Sequence, residues 1–370
     1  MIEIALEPLG DRERLRTDWQ DLERRADARF FLSWHWIGAW LATTEATVHR
    51  LTAHEGERIL GLALLVHGIQ VRHRMLRVPT LFLNQTGVEA EDVVTIEFND
   101  LLAERGREAE VRRAVLHHLA ATDRLDGRRF DALVWRGAVG GLERDLDAAG
   151  LAWRHLTRTS SAFVDLARIR ASGRAYLSHL RPNTRHQVRR ARSLYEARGP
   201  LRLEVAASKA QALDFFRAAG VLHQRRWRPR GKPGAFAYPF YVGFHERLIA
   251  AGVPAGVVEL VRVSAGEQPI GYLYNFRYNR HVDYYFSGFR FEDDKRLKPG
   301  MVTHSLCIEH HLTADDADVY DFMGGDERYK LNLGEPGPEI VGVVIERPRP
   351  LLRAEATLRR MKRQLVDSTK

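Results

Sequence analysis

The chain has 370 residues, of which 45% are hydrophobic and 28% are charged, a composition typical of a folded protein and not of a disordered one. This length exceeds what one hydrophobic core usually serves, so we expect two domains or two closely packed halves. The formal net charge of +9 favours anionic partners such as phosphorylated cofactors, RNA or acidic lipid surfaces, without choosing among them. An arginine-rich composition without functional meaning explains the same charge.

The sequence also indicates the cellular compartment in which the protein is expected. Cys307 is the only cysteine, which excludes an internal disulfide and fits a reducing environment. The longest apolar run, near residues 61–66, is far shorter than the roughly 18 to 20 residues of a membrane span. The first ten residues lack the basic-then-apolar pattern of a signal peptide. We therefore expect a cytoplasmic protein.

The first half of the chain alternates helical and strand patterns. A charged amphipathic helix is predicted at 14–26, and an aromatic-rich stretch with helical spacing follows at 30–40. Further strands and helices are predicted at 51–54, 59–66, 78–82, 105–122, 132–135 and 141–150.

The second half repeats this order of elements, which indicates an internal duplication of topology. Helices are predicted at 183–198, 209–226, 241–251, 299–312 and 351–365, and strands at 162–166, 201–205, 257–263, 269–278, 282–289 and 319–322. Helices interleaved with an antiparallel meander predict an α/β fold with α+β layering. In the last helix, Leu351, Leu358, Met361 and Leu365 share one face and basic residues occupy the others.

A phosphate site is predicted where the strand at 282–289 leads into the helix at 299–312. The connecting loop carries Lys295, Arg296 and Lys298, and Pro299-Gly300 opens the helix. Proline suits a first helical turn, and glycine lets a ligand approach the backbone N–H groups. Those groups and the three cations suit a phosphate. A solubilising basic loop before an ordinary helix fits the same residues.

The helix at 183–198 carries a second candidate anion site. Arg181, Arg185, Arg189 and Arg192 are spaced by 4, 4 and 3 residues, which places three or four of them on one face. Such a stripe can hold the phosphates of CoA or of an RNA acceptor stem. A solvated helix face is the alternative interpretation.

The segment 319–334 contains the most specific motif of the chain. A strand delivers Asp321 to a Gly324-Gly325 turn, a place where sites commonly form, although an Asp that only closes the turn is an alternative. The pattern Asp321-Phe322-x-x-Gly325-Asp326-x-x-Tyr329-Lys330 resembles the signature of GNAT-like acetyltransferases associated with cellulose and capsule biosynthesis. It is similar, less closely, to Fem-type peptidyltransferases, which carry Asp-Phe-x-Gly and then Phe-Lys.

Two other stretches agree with the first of these families. Phe31-x-Ser33-x-x-Trp36 with Trp40 resembles its N-terminal entry. Leu177-x-x-Leu180, followed by Asn183, Arg185, Arg189 and Arg190, resembles its basic helix.

The resemblance implies two tandem GNAT-like domains, each with a mixed, mostly antiparallel central sheet flanked by helices. We place them at 1–160 and 161–350, the second being catalytic, with a basic C-terminal helix at 351–370. The implied donor is an acyl-CoA. Its implied binding positions are Tyr284, Phe286, Ser287, Gly288, Lys298, Pro299, Gly300, Met301, Arg185 and Arg189. The chain departs from the usual pyrophosphate loop, since only Gly300 stands where the family has two small residues.

Acyl transfer needs a base for the acceptor, an acid for the leaving thiol and donors for the oxyanion. Asp321 or His223 is the candidate base, Tyr285 or Tyr329 the acid, and Lys330 or backbone N–H groups the oxyanion donors. Asp321 with Lys330 is our preferred pair, although Lys330 paired with Asp321 or Asp326 for structural reasons, or catalysis by positioning alone, fits as well.

Other polar residues are expected to be structural. Cys307 lies in an apolar helical pattern, which indicates core packing. In the pairs His117-His118 and His310-His311 adjacent side chains point to different sides of a helix, so we expect no metal site.

Three functions remain as hypotheses. The first is acyl transfer from acyl-CoA to an amine or hydroxyl of a small-molecule or glycan-linked acceptor. The second is Fem-like aminoacyl transfer from charged tRNA. The third is a non-catalytic module that binds a partner in polysaccharide biosynthesis.

Overall fold

The computed structural model describes residues 1–325 and 327–367. Asp326, which belongs to the motif above, and residues 368–370 of the C-terminal segment lie outside these ranges. The strands are β1 (Glu3–Pro8), β2 (Val48–Glu55), β3 (Arg58–Arg72), β4 (Leu76–Leu83), β5 (Leu102–Ala103), β6 (Arg124–Leu125), β7 (Arg128–Arg129), β8 (Ala132–Ala138), β9 (Ala152–Asp165), β10 (Leu201–Val205), β11 (Val258–Ala265), β12 (Gln268–Tyr278), β13 (His281–Phe289), β14 (Val319–Gly324) and β15 (Glu335–Glu346).

Helices flank this set of strands. They are α1 (Arg12–Arg25), α2 (Trp34–Thr43), α3 (Glu89–Asp92), α4 (Glu108–Ala121), α5 (Leu142–Ala148), α6 (Leu166–Ser172), α7 (Tyr176–His179), α8 (Pro182–Glu196), α9 (Lys209–Trp227), α10 (Pro239–Gly252), α11 (Pro299–Ala314), α12 (Arg328–Leu333) and α13 (Pro350–Asp367). Several helices begin at a residue that caps the free N–H groups. The side chains of Asp11, Ser33 and Ser208 accept hydrogen bonds from the first turns of α1, α2 and α9.

One mixed sheet runs through the molecule in the order β1-β2-β3-β4-β8-β15-β9-β14-β13-β12-β11-β10. Neighbours in it are antiparallel except for the parallel pairs β4–β8 and β13–β14. Each parallel pair follows a three-stranded antiparallel meander and is connected by a crossover that contains a helix, α4 or α11. This repeated order confirms the predicted α/β fold with GNAT-like halves built around mixed, mostly antiparallel sheet.

Strands β9 and β15 connect the two halves within one sheet, a connection that the predicted domain boundary does not include. β15 lies between β8 of the first half and β9, and the predicted boundary at residue 160 falls inside β9. The predicted strands do not include β15, and they include only the last residues of β9. Most of β9 is polar and partly exposed, so it lacks a clear hydrophobic pattern. β15 begins with Glu335-Pro336-Gly337-Pro338, which is typical of a loop, but the apolar β-branched run from Ile340 to Ile345 was an available signal of a strand.

An aromatic core also bridges the halves. Phe30 stacks on Phe276 with ring centroids 4.2 Å apart, and Trp36 of α2 packs edge-on against Phe244 of α10 at 4.8 Å. These rings belong to one buried cluster that contains α1, α2, α9 and α10. The aromatic-rich stretch at 30–40 therefore packs the two halves together.

The C-terminal helix α13 rests on the first half. Leu352 is buried against Val78, Phe82, Val134 and Val344, and Glu355 accepts hydrogen bonds from Arg72. The side chain of Leu365, placed on the apolar face by the sequence, lies outside the described part of the molecule. Among the described residues, the structure contains no helix whose length and apolar character would suffice to cross a bilayer.

Candidate active site

The two central strands of the C-terminal half separate at the candidate site. β13 and β14 pair in parallel over three positions only, the last being Asp283 opposite Asp321. β13 then continues along β12 to Phe289, whereas Gly324 at the end of β14 pairs with Ser161 of β9. A β-bulge at Tyr285 interrupts the register of β13 at the same level. The polar residues of the motif thus lie where a gap opens between two strands.

A buried ionic cluster occupies the base of this gap. The guanidinium of Arg29, from the loop after α1, donates hydrogen bonds to Asp283 and, at 2.8 Å, to Asp321. The other carboxylate oxygen of Asp321 accepts from the N–H of Met323 at 2.7 Å. Burial, partly offset by Arg29, raises the pKa of Asp283 to about 6. Each carboxylate oxygen of Asp321 therefore has a hydrogen-bond partner. In this arrangement Asp321 orients Arg29 and the backbone at Met323.

Lys330 and Glu97 meet at the end of β14. The ammonium of Lys330 donates to the carbonyl of Gly324 at 2.5 Å and lies 3.3 Å from Glu327. The N–H of the same Gly324 donates to the carboxylate of Glu97 at 2.7 Å. Burial raises the pKa of Glu97 to about 7, against the lowering effects of this hydrogen bond and of Lys330. An acid–base group that titrates near neutrality therefore stands next to a cation.

Sequence reasoning missed both Glu97 and Arg29, which come from the first half of the chain. Glu97 is a carboxylate between the apolar residues Ile96 and Phe98, and Arg29 lies four residues after the end of α1. The first pattern is the signal that was available, since an acid flanked by buried residues is held away from water.

The glycine turn explains how Lys330 reaches the strand end. Met323 has a left-handed backbone with φ 59°, and Gly325 has φ 141°. A Cβ atom at Gly325 would lie 2.5 Å from the Lys330 ammonium nitrogen. The glycine is required by this close approach and by its backbone conformation.

Tyr284 and Tyr329 lie on the α11 side of the sheet. The ring of Tyr329 stacks on His304 at 5.6 Å, and the hydroxyls of Tyr284 and Ser287 are 2.6 Å apart. Burial raises the pKa of Tyr329 and lowers that of His304 to about 3, so the phenol and the imidazole are both neutral.

Tyr285, Phe286 and His223 lie on the opposite side, against α9 and α10. Tyr285 packs among Trp36, Phe276 and His245, and burial raises its pKa well above the ordinary value. His223 of α9 contacts the ring of Phe286 at 5.0 Å, and burial lowers its pKa to about 4. The two candidate acids therefore lie on opposite faces of the sheet, and the candidate base His223 shares the face of Tyr285.

The predicted phosphate site lies at the start of α11. Lys298 precedes the helix, Pro299 and Met301 are buried, and a Cβ atom at Gly300 would lie 3.1 Å from the ring of Phe289. Gly288 contacts another part of the structure, since a Cβ atom there would lie 2.4 Å from the carbonyl oxygen of Ala219 in α9. We conclude that Gly288 is needed for helix packing.

The arginine stripe of α8 divides into two groups. Arg192 donates to Ser305 and Glu309 and so fastens α8 to α11. Arg185 is half-buried and directed toward the carbonyl of Ser178 at 3.5 Å, whereas Arg189 is exposed. Of the two predicted ligand-binding arginines, Arg189 is the more accessible.

A second buried ionic cluster lies at the other end of α11. The imidazole of His311 contacts Asp316 at 2.9 Å and Glu259 at 3.3 Å, and Cys307 is buried beside it. Burial disfavours the cation, but hydrogen bonds to Asp316, Cys307 and Glu259 raise the pKa of His311 to about 12. His310, His311 and Glu259 offer ligand atoms within 4.8 Å of one another. As a cation, this imidazole neutralises the two carboxylates.

Residues 182–331 match the acetyltransferase (GNAT) domain family. The matched stretch runs from the start of α8 into α12 and includes Asp321, Tyr329 and Lys330. The C-terminal half therefore carries a GNAT acetyltransferase domain. No curated protein matches the chain by sequence.

Solved structures extend the similarity to the whole chain at the level of fold. The crystal structure of FemX has a TM-score of 0.59 at 12% identity and covers 92% of this chain and 98% of its own. L-PGS from Bacillus licheniformis has a TM-score of 0.55 at 12% identity, with 96% and 97% covered. The C-terminal domain of a putative lysylphosphatidylglycerol synthetase from Agrobacterium fabrum has a TM-score of 0.54 at 13% identity, also with 96% and 97% covered.

Proposed function

We propose that this protein is an acyltransferase that moves an acyl group from acyl-CoA to an amine or hydroxyl of a small-molecule or glycan-linked acceptor. The observation that carries the proposal is the separation of β13 and β14 directly above Asp283 and Asp321, with Glu97 and Lys330 at its end. The match of residues 182–331 to the GNAT domain family supports the same reaction class. An association with cellulose or capsule biosynthesis is a further part of the proposal and rests on the motif alone.

The reaction assigns a task to each group near the strand end. Glu97 accepts the proton of the attacking amine or hydroxyl, because its raised pKa makes it a base near neutral pH. The nucleophile adds to the thioester carbonyl, and the Lys330 ammonium stabilises the oxyanion that forms. Collapse of this intermediate expels the CoA thiolate, which accepts a hydrogen bond from the neutral phenol of Tyr329. The thiolate takes up one proton, and Glu97 releases the proton that it accepted, so the enzyme returns to its starting state. Asp321 acts as a positioning residue through Arg29.

The donor occupies the α11 side of the gap in this proposal. Its pantetheine arm runs along Tyr284 to Gly288 of β13, and its pyrophosphate lies at Lys298 to Met301. Arg185 and Arg189 contact its outer phosphate. The acceptor enters from the side of Tyr285 and His223, where residues 1–160 close the site, while residues 161–350 hold the donor.

Fem-like aminoacyl transfer from tRNA is the second candidate. It is favoured by the similarity of fold to FemX over nearly the whole of both chains, which includes the first half as well as the GNAT domain. Exposed basic residues such as Arg189 would then contact the RNA backbone. The same Lys330 would stabilise the oxyanion, since an aminoacyl ester passes through the same kind of intermediate.

Calorimetric titration with acetyl-CoA, a longer acyl-CoA and bulk charged tRNA distinguishes these candidates. Saturable acyl-CoA binding that is weakened about tenfold or more by Gly300→Leu supports the first, because the new side chain blocks the start of α11. Gly243→Leu is the matched control, since open space surrounds that glycine of α10. Salt-sensitive tRNA binding without acyl-CoA binding would select the second candidate. Absence of both would favour the non-catalytic module.

A further inference from the structure

We propose that α13 is a docking surface for an anionic membrane. The helix has one face bound to the protein and another that carries exposed apolar side chains. Leu352, Glu355 and Arg359 form the bound face, where Glu355 pairs with Arg72 at 3.0 Å and Arg359 pairs with Glu355 at 2.9 Å. The orientation of the helix on the sheet is therefore fixed, and so is the direction of its other face.

The outward face consists of Leu351, Ala354, Leu358 and Met361. The three larger residues are 61%, 64% and 47% exposed. They recur at intervals of seven and three residues, which aligns them along the helix. Isolated exposed apolar residues are ordinary, but a row of them on one helix is a surface that water solvates poorly.

The charge of the helix selects the partner. Residues 350–367 contain five basic residues, Arg353, Arg359, Arg360, Lys362 and Arg363, against the two acidic residues Glu355 and Asp367. A row of apolar residues on a cationic helix suits the boundary between headgroups and acyl chains of an acidic bilayer. Two copies of this helix would bring like charges together, which disfavours self-association through the same face. Nucleic acid would match the charge but would leave the apolar row in water.

The neighbouring β3–β4 turn adds to the cationic surface. His73 of this turn contacts Glu355 of α13 at 3.1 Å, so the two elements are adjacent. Arg74 is exposed in the turn, and Met75 is 85% exposed. No acidic residue occurs in the sequence from 58 to 88. Helix and turn thus present apolar and basic groups at the same end of the first half.

Vesicle co-sedimentation of the full chain tests this proposal. We expect binding to vesicles that contain phosphatidylglycerol, weak binding to phosphatidylcholine alone, and loss of binding at about 1 M salt, where the screening length falls to about 3 Å. The double variant Leu358→Glu with Met361→Glu should reduce the partition coefficient about tenfold or more, because it places charges in the apolar row. Val221→Glu, at a residue of α9 that is 54% exposed, is the matched control.

The contribution of charge has its own pair of variants. Arg353→Glu should weaken vesicle binding severalfold, and Arg113→Glu on the exposed side of α4 should leave it unchanged. Circular dichroism would establish that all variants are folded. Equal binding of the double variant and the wild type, or equal binding to both kinds of vesicle, would overturn the proposal. So would a dimer in sedimentation velocity that the double variant abolishes, because the apolar row would then bind a second copy.

Discussion

The two halves of the molecule contain the same separation of parallel strands but fill it differently. In the first half β4 and β8 pair over three positions, as β13 and β14 do. Beyond that point Asn84 and Asn99 form a buried amide pair at 2.8 Å, and the carbonyl of Asn99 accepts from Trp135. In the second half the last paired residues are themselves charged, since Asp283 and Asp321 face each other there and both bind Arg29.

This difference supports the proposal that the second half carries out the reaction. Neutral amides whose hydrogen bonds are satisfied close the first gap and stabilise it. The second gap holds ionisable groups whose pKa values are shifted by burial, and such groups are typical of reacting sites. The first half nevertheless contributes Glu97 and Arg29 to the second site, so the halves differ in role and depend on each other.

The largest expected effect is a loss of stability at His311. This residue tests whether every buried charge of the second half takes part in the reaction. His311→Leu should lower the free energy of unfolding by about 3–5 kcal/mol, because Glu259 and Asp316 lose their cation. The pKa of His311 is about 12 in the folded protein against 6.5 when unfolded, so its stabilising contribution is complete below pH 6.5 and declines as the pH rises toward 12. Urea unfolding at pH 7 and at higher pH should therefore give a difference between variant and wild type that shrinks with pH. A constant difference would contradict the charged imidazole.

A comparable effect on rate is expected at Lys330. Lys330→Met should reduce turnover about 10²–10³-fold, because the oxyanion loses its cation. Thermal unfolding should show a folded variant, and Lys209→Met, at an exposed position of α9, should keep the wild-type rate. Unchanged turnover in the Lys330 variant would show that the reaction does not take place at this end of β14.

At the amide pair of the first half we expect a loss of stability without a loss of turnover. Asn99→Ala should lower the free energy of unfolding by about 2–3 kcal/mol, since the carbonyl of Leu83 loses its Asn99 donor and the amide of Asn84 keeps only the carbonyl of Asp100 as an acceptor. Turnover per folded molecule should stay within about twofold. A large loss of turnover at full occupancy of the folded state would show that the first gap takes part in the reaction.

A smaller effect with a distinct signature is expected at Glu97. A general base must be deprotonated, so the rate of the wild type should rise with pH through about 7. Glu97→Gln should remove this rise and reduce the rate on the high-pH plateau about tenfold or more. Glu110→Gln, at an exposed residue of α4, should reproduce the wild-type profile. An unchanged profile in Glu97→Gln would return the role of base to Asp321 or His223.

The smallest effect is expected at Asp321. Asp321→Asn keeps the hydrogen bond to the N–H of Met323 and weakens the ion pair with Arg29, so we expect a loss of turnover of about tenfold with a folded protein. Rescue by Asp321→Glu would not be expected, because the longer side chain displaces Arg29. A loss as large as that of Lys330→Met would indicate that Asp321 itself exchanges protons with the substrate.

Local patterns in the sequence predicted the class of fold, which the structure confirms, and singled out the segment 319–334 that we propose as the centre of the site. Hydrophobic periodicity located helices such as α4, α9 and α11, and the spacing of Asp321, Tyr329 and Lys330 identified the strand end, because both signals are local. Only the tertiary structure decided that β15 lies between β8 and β9, that Arg29 neutralises Asp283 and Asp321, and that Glu97 shares Gly324 with Lys330. These contacts join residues that are distant in the sequence, such as Glu335 and Phe163 at 172 positions and Arg29 and Asp321 at 292. Their energies depend on a burial that no local pattern encodes.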